Sequence, residues 1–269
     1  MANNICVEMV NFTPTMRCNL KCKLCGVLVP HYSYCPQMTV DEFEKSLEAM
    51  FQVVDYVRKL QITGGEPFMH PQLPELIKKC FQYEKQFDKV WILTNGTIPP
   101  KPELLEAISQ HKDRILVHIS DYGLKKENTE KLVRELQEIG CEYRYLKYYG
   151  EQQYFDGWVD QGDFVSHGRE EKELRQIFKE CPHVCRGGSW YIRNGQVHWC
   201  GRAIRGMELQ KIPLKDTEYL DLFEGTREEK REKFVKLMQL EFITACDYCN
   251  GNYGTSQLGK RYPAGEQIE

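Results

Sequence analysis

Twelve cysteines stand out in this chain of 269 residues, and seven of them fall in two groups. The first is Cys18-Asn-Leu-Lys-Cys22-Lys-Leu-Cys25. Three thiolates spaced by four and three residues can take three corners of a [4Fe–4S] cube and leave the fourth iron without a protein ligand. Such an open iron can bind a small chelating molecule. A zinc site completed by His31 is the alternative. Zinc favours cysteines paired two residues apart, and this group has only one such pair. Forty residues on comes Ile62-Thr-Gly64-Gly65-Glu66-Pro67. Two glycines let a backbone approach a ligand closely, Glu66 offers a carboxylate to an ammonium group, and Pro67 stiffens the turn.

The second group is Cys185, Cys200, Cys246 and Cys249. Cys185 and Cys200 flank a hairpin whose turn is Asn194-Gly195, a strong signal for a two-residue connection. Four thiolates can complete a tetrahedral zinc site or ligate all four irons of a cube, and spacing does not choose between them.

In their order along the chain, these motifs resemble the radical S-adenosylmethionine superfamily. The resemblance implies a CxxxCxxC loop, here Cys18, Cys22 and Cys25, after the first strand of a partial (β/α) barrel. It implies that Gly64, Gly65, Glu66 and Pro67 contact the methionine part of S-adenosylmethionine. Leu24 stands where the family commonly has an aromatic residue against adenine. Asn95 and Ser120 follow the third and fourth strands, where Ser120 is placed to bond the ribose. His118 shares its strand face. Asp121 reads either as a turn residue or as a contact to a polar substrate. The segment from Cys185 to Cys200 resembles the start of SPASM and twitch extensions. The short twitch form, with one auxiliary [4Fe–4S] cluster, fits the cysteines that remain. Cys181 is an extra thiol near the first ligand, with the CxxG pattern favouring Cys185.

These groups need a scaffold. Thr39 with Glu42 forms a capping-box pattern ahead of Phe43, Leu47, Met50, Phe51 and Val54, which share one helix face. Strands expected at 5–10, 60–63, 89–94, 114–120 and 141–146 alternate with helices at 72–84, 101–110 and 126–139. That alternation implies a parallel sheet. The fold expected is α/β: a partial barrel of five or six parallel strands, any sixth lying within 148–180, with a small hairpin-plus-helix cluster domain after it. The domain reading is 1–180 barrel, 181–255 twitch-like unit and 256–269 loose tail. The loop 148–168 carries Tyr148, Tyr149, Tyr154, Asp156, Trp158, Asp160 and Asp163, a set suited to a polyhydroxylated ligand over the open end of the sheet. Substrate contacts are expected from Asp121, Tyr154 and Trp158.

Hydrophobic residues are 41% and charged residues 28%, with a net charge of −3. That composition suits a globular protein and offers no electrostatic footprint for nucleic acid. There is no signal-peptide pattern and no membrane-length apolar run, so a cytoplasmic protein is expected. The resemblance implies two [4Fe–4S] clusters, S-adenosylmethionine, and a one-electron donor such as flavodoxin or ferredoxin. The expected reaction is hydrogen abstraction from a small sugar-, aminosugar- or cyclitol-like substrate, then oxidation to a ketone or imine with the second cluster as electron acceptor. The nearness of Cys18 to the first residue argues against a leader-binding domain and so against a peptide substrate. Alternatives are an epimerase using Cys181 or Cys35 as hydrogen donor, a peptide maturase, and a zinc-stabilised binding protein.

Overall fold

The computed structural model describes residues 4–154, 158–185, 187–251 and 261–268. Asp156 and residues 256–260 of the expected tail lie outside them. Five strands, β1 (Cys6–Thr15), β2 (Tyr56–Gly64), β3 (Phe87–Thr94), β4 (Ile115–Asp121) and β5 (Glu142–Lys147), pair in parallel in chain order. The helices α1 (Val40–Val53), α2 (Leu73–Phe81), α3 (Pro102–Ser109) and α4 (Lys126–Ile139) connect them. The capping box at α1 is made: Glu42 N donates to the Thr39 hydroxyl at 3.2 Å, and Thr39 N to the Glu42 carboxylate at 2.7 Å.

Alternation along the strands sorts two faces. Val10, Phe12, Leu60, Ile62, Val90, Ile92, Val117 and Ile119 are buried against the helices. Each such side chain contributes about 1.5–3 kcal/mol relative to exposure. The other face carries Asn11, Gln61, Thr63, Trp91, His118 and Ser120, a more polar set of which Asn11 and Gln61 are buried.

The sixth parallel strand is not within 148–180. It is β6 (Ser189–Arg193), the first arm of the hairpin, which pairs with the free edge of β1 from Met9↔Ser189 to Phe12↔Ile192. The reason lies in its alternation: Trp190 and Ile192 fill the apolar side while Tyr191 and Arg193 join the polar face. The stretch 148–168 instead holds a short 3₁₀ turn, Gly150–Gln152, and a loop docked on the second cysteine region through His167 N to Asp247 O and Asn250 N to Gln161 O.

Helices α5 (Glu171–Glu180) and α6 (Pro182–Cys185) lead into β6. The Asn194-Gly195 turn has φ of 50° and 75°, the left-handed pair that this dipeptide supplies. Then follow β7 (Gln196–His198), α7 (Gly201–Glu208), β8 (Tyr219–Asp221) and α8 (Arg227–Met238), so the sheet runs β5-β4-β3-β2-β1-β6-β7-β8. Trp190 packs on Trp199 and Phe234 at ring separations of 4.2 and 4.4 Å, tying the hairpin to α8. Among the described residues no helix is long and apolar enough to cross a membrane.

Candidate functional site

The loop that leaves β1 carries Cys18, Cys22 and Cys25, and the turn that leaves β2 braces it. Gly65 N donates to Thr15 O at 2.9 Å and Glu66 N to Arg17 O at 2.8 Å, so the parallel ladder continues past the strands. A Cβ on Gly64 would lie 2.3 Å from the Thr15 carbonyl oxygen, and one on Gly65 2.2 Å from that of Arg17. Both glycines are therefore required by the contact between the two loops, a role that ligand approach alone does not supply.

Glu66 is fully buried. Its carboxylate accepts from Phe68 N at 3.0 Å, the Thr94 hydroxyl at 2.8 Å and Asn95 N at 2.7 Å. Burial pushes its carboxyl up to about 7 despite these donors. The ammonium contact expected of Glu66 thus falls to whatever acceptor capacity three internal bonds leave. Pro67 opens a buried 3₁₀ turn, Pro67–Met69. Asn95 is likewise engaged: its amide nitrogen reaches Asn19 Oδ1 at 3.1 Å and Cys18 Sγ at 3.9 Å, and its oxygen accepts from Thr97 N at 2.9 Å.

The residues 261–268 are no loose tail. Lys23 N donates to Glu266 O at 2.7 Å and Ile268 N to Lys21 O at 2.8 Å, and the Gln267 amide donates to Cys22 Sγ at 3.4 Å. Tyr122 stands between this segment and the thiols, for a Cβ on Gly265 would meet its ring at 2.5 Å. Burial raises its hydroxyl well above the usual range, with Cys22 adding to the effect. Sequence reasoning missed Gln267 and Tyr122. Nothing in the polar C-terminal stretch signals a partner 245 positions away.

Ser120 is hydrogen-bonded to Tyr122. Asp121 behaves as a turn residue, accepting from Gly123 N at 2.8 Å and the Tyr145 hydroxyl at 2.5 Å. Trp158 packs edge-on against Tyr122 at 5.6 Å, and Tyr154 is exposed. Asp121, Tyr154 and Trp158 do not line the central cavity expected to receive substrate. Leu24 and Cys25 border a second cavity of about 420 Å³ with Lys23, Asp160, Asp163 and Asn250. His31, the candidate fourth zinc ligand, borders it too and packs edge-on against Phe164.

The central cavity, about 290 Å³, opens between the polar sheet face and the second cysteine group. Gly26 and Val27, just after the first group, form one wall; Gln61, Thr63 and Leu93 form the floor. The opposite wall holds Cys181, Cys200, Cys246 and Cys249. The structure places Cys181 in this lining, while Cys185, the ligand expected from the sequence, is exposed and outside it. One turn of α6 separates the two, and the chain enters it with Cys181 inward. Burial pushes Cys181 up to about 12, with the Cys200, Cys249 and Cys185 thiols adding to the rise.

All four cavity thiols are raised by burial, Cys200 to about 11, as are Cys18 to about 12 and Cys22 to about 11. Metal binding at either group must therefore displace protons. N–H donors aim at the sulfurs, Leu20 N at Cys18 at 3.4 Å and Ala203 N at Cys200 at 3.2 Å, the latter capping α7. Arg169 and Arg202 hold the Cys246–Cys249 turn by bonding its carbonyls at 2.7–3.0 Å. Among the described residues no three His, Cys, Asp or Glu side chains are gathered as ligands of one metal ion are. A cube presents a separate iron to each thiolate, so its ligands stand further apart than those of a single ion. The donor sets are all-thiol in both places, around a cavity in the second, and with N–H groups on the sulfurs they fit iron–sulfur clusters.

A parallel β/α sheet with three thiols after its first strand and a Gly-Gly-Glu-Pro turn after its second defines a partial-barrel scaffold with a C-terminal SPASM-type unit. The Radical SAM superfamily model matches residues 12–134, so this segment carries the core of that superfamily. It is 38% identical over 109 residues to the antilisterial bacteriocin subtilosin biosynthesis protein AlbA of Bacillus subtilis (strain 168), which is 40% of this chain and 23% of that one. It is 30% identical over 132 residues to the GTP 3′,8-cyclase of Aliarcobacter butzleri (strain RM4018), 48% and 39% of the two chains. The matches thus span less than half the length of these curated relatives. Over 100% of both chains the fold is similar to BtrN in complex with AdoMet and 2-DOIA, with a TM-score of 0.57 at 13% identity. Streptococcus suis SuiB bound to precursor peptide SuiA gives 0.53 at 14% identity, over 89% of this chain and 68% of that one.

Proposed function

We propose that this protein is a radical S-adenosylmethionine oxidoreductase that removes hydrogen from a small polar substrate, with a second cluster as first electron acceptor. The observation that carries the reading is the single cavity with the loop of the first cysteine group on one wall and four thiols on the other. In this reading residues 1–180, completed by strand β6, are the barrel, and the rest of 181–255 is the auxiliary unit. Cys18, Cys22 and Cys25 hold one [4Fe–4S] cluster; Cys181, Cys200, Cys246 and Cys249 hold the other. With the first cluster and S-adenosylmethionine bound, the pair supplies a 5′-deoxyadenosyl radical that takes a hydrogen atom from the substrate.

The chain's own residues supply the rest. Gly64 to Pro67 fix the loop that carries the first cluster, and Gln61, Thr63 and Tyr191 offer hydrogen-bonding groups to a polar ligand. His183 lines the cavity, with Nδ1 3.1 Å from the Tyr191 hydroxyl, and is an imidazole able to take the proton that an alcohol or amine loses on oxidation. The epimerase alternative is weakened because its thiol donors are spent or distant: Cys181 is a ligand here, and Cys35 is exposed outside the cavity lining.

The small-molecule reading is supported by a cavity of about 290 Å³, at the low end for ligand sites, part of which the second cluster would fill. BtrN, similar in fold over its whole length, is seen with 2-DOIA. A peptide substrate is the second reading, favoured by the identity to the subtilosin biosynthesis protein. The test is anaerobic reconstitution followed by reduction with dithionite in the presence of S-adenosylmethionine. Formation of 5′-deoxyadenosine and methionine is expected; their absence from protein carrying both clusters would overturn the reading. For any substrate found, turnover in deuterated water should give a product two mass units lighter. An inverted centre carrying solvent deuterium would instead establish epimerisation.

A further inference from the structure

Three buried donors near one point on the polar sheet face have no acceptor. Asn11 on β1, Arg193 on β6 and Arg205 on α7 are each at most 2% exposed. Among the described residues Asn11 Nδ2, one terminal nitrogen of Arg193 and Nε of Arg205 have no hydrogen-bond partner. All three cluster about Thr13. Arg205 Nη2 donates to the Thr13 hydroxyl at 2.9 Å, Arg193 Nη1 lies 3.3 Å from the Thr13 carbonyl, and Asn11 precedes Thr13 by two on the same strand face. The charges do not balance. Arg193 is paired with Glu208 at 2.7 Å, and that carboxylate also takes the Tyr32 hydroxyl and the Asn194 amide. Arg205 has no acidic partner among the described residues.

A buried guanidinium without a carboxylate is costly, and a fold retains one where a ligand supplies the missing charge. Arg205 lines the central cavity, and Gly201 gives it room: a Cβ there would lie 2.2 Å from its Nη1. Its surroundings separate it from the cluster thiols opposite. Arg202, one turn earlier, answers Cys249 and Cys200, whereas Arg205 stands among Tyr191, Tyr32, Arg193 and Cys25. The Cys25 thiol reaches it, but Gly64 to Pro67, Leu24, Asn95 and Ser120, the other residues expected at the cofactor, do not line this cavity.

We propose that Arg205 binds an oxyanionic group of the substrate, a carboxylate or phosphate, with Asn11 and Arg193 supporting it from behind. This deepens the functional reading above and rests on it. The substrate is then not a neutral polyol or a simple amine but a molecule with an anionic handle. A fixed guanidinium orients such a handle through two parallel N–H bonds.

The test uses the reconstituted full chain with sodium acetate and inorganic phosphate as probes, titrated calorimetrically at constant ionic strength. At least one should bind saturably to the wild-type protein. Arg205→Met should weaken that binding about tenfold or more, and Arg205→Lys should retain most of it. The melting temperature of Arg205→Met should equal or exceed that of the wild type, because an unpaired buried charge is removed. Its affinity for S-adenosylmethionine, by equilibrium dialysis, should stay within about twofold. Three outcomes overturn the proposal: neither anion binds, the variant melts well below the wild type, or cofactor affinity falls with anion affinity. The last would assign the guanidinium to the cofactor carboxylate. Anion binding is read without turnover, so its failure is distinguishable from a failure to form 5′-deoxyadenosine.

Discussion

The two cysteine groups are brought together by opposite routes. Cys18, Cys22 and Cys25 sit within eight residues on one loop, and tertiary contacts only brace it: the turn at Gly64–Pro67, the Asn95 amide and Gln267. The second set is assembled from Cys181 before α6, Cys200 at the cap of α7, and Cys246 and Cys249 beyond α8. A local group is a property of its spacing. A dispersed group is a property of packing, so one turn of a short helix decides which of two nearby thiols faces the cavity.

Substitutions can break this contrast. The largest effect is expected from replacing Cys18, Cys22 and Cys25 together by Ser. Cofactor cleavage should vanish, while iron falls only from about 8 to about 4 per chain; loss of all iron would show that the two groups do not load independently. Next, Cys181→Ser should lose the second cluster by iron and sulfide analysis while Cys185→Ser keeps both. The reverse pattern would restore Cys185 as the ligand.

Smaller effects sharpen the role of the brace. Gly65→Ala drives a Cβ into a backbone oxygen at 2.2 Å. It should cost about 1–3 kcal/mol or more in denaturant unfolding. Gly26→Ala, with nothing within 4 Å of the added carbon, should cost under about 1 kcal/mol. Equal costs would remove the argument for a strained contact. Glu66 gives a pH signature in the metal-free protein. Its carboxyl rises from 4.5 to about 7 on folding. Between those values the folded chain holds a proton that the unfolded chain lacks, so stability falls as pH rises through the window. Glu66→Gln should flatten that slope, a difference of about 1–3 kcal/mol between pH 5 and 8. An unchanged slope would show that Glu66 is not its source. Smallest is Gln267→Ala, expected to cost about 1 kcal/mol through its side-chain bonds to Cys22, Lys21 N and Gly265 O; no change in unfolding midpoint would make those contacts incidental.

Much of the scaffold was legible in periodicity. The helix Lys126–Ile139 has the bounds expected for it, and the Thr39–Glu42 box caps α1 as its residues imply. The Asn194-Gly195 hairpin was equally plain. Helix α7 was missed because its cap is a cysteine, Sγ of Cys200 accepting from Ala203 N, and thiols are not among the usual capping residues. The three-residue strand β8 is too short to show a period.

By itself the sequence determined the parallel β/α alternation, the three-thiol loop, the Gly-Gly-Glu-Pro turn and the hairpin, because each depends on residues within one turn, strand or loop. Only the tertiary structure decided which edge β6 joins, that Cys181 faces the cavity while Cys185 faces solvent, and that Gln267 reaches Cys22. The same holds for Arg205, buried beside Thr13 without a carboxylate. Each of these relations links positions brought together by long-range packing or set by the facing of one short turn, and neither periodicity nor spacing encodes it.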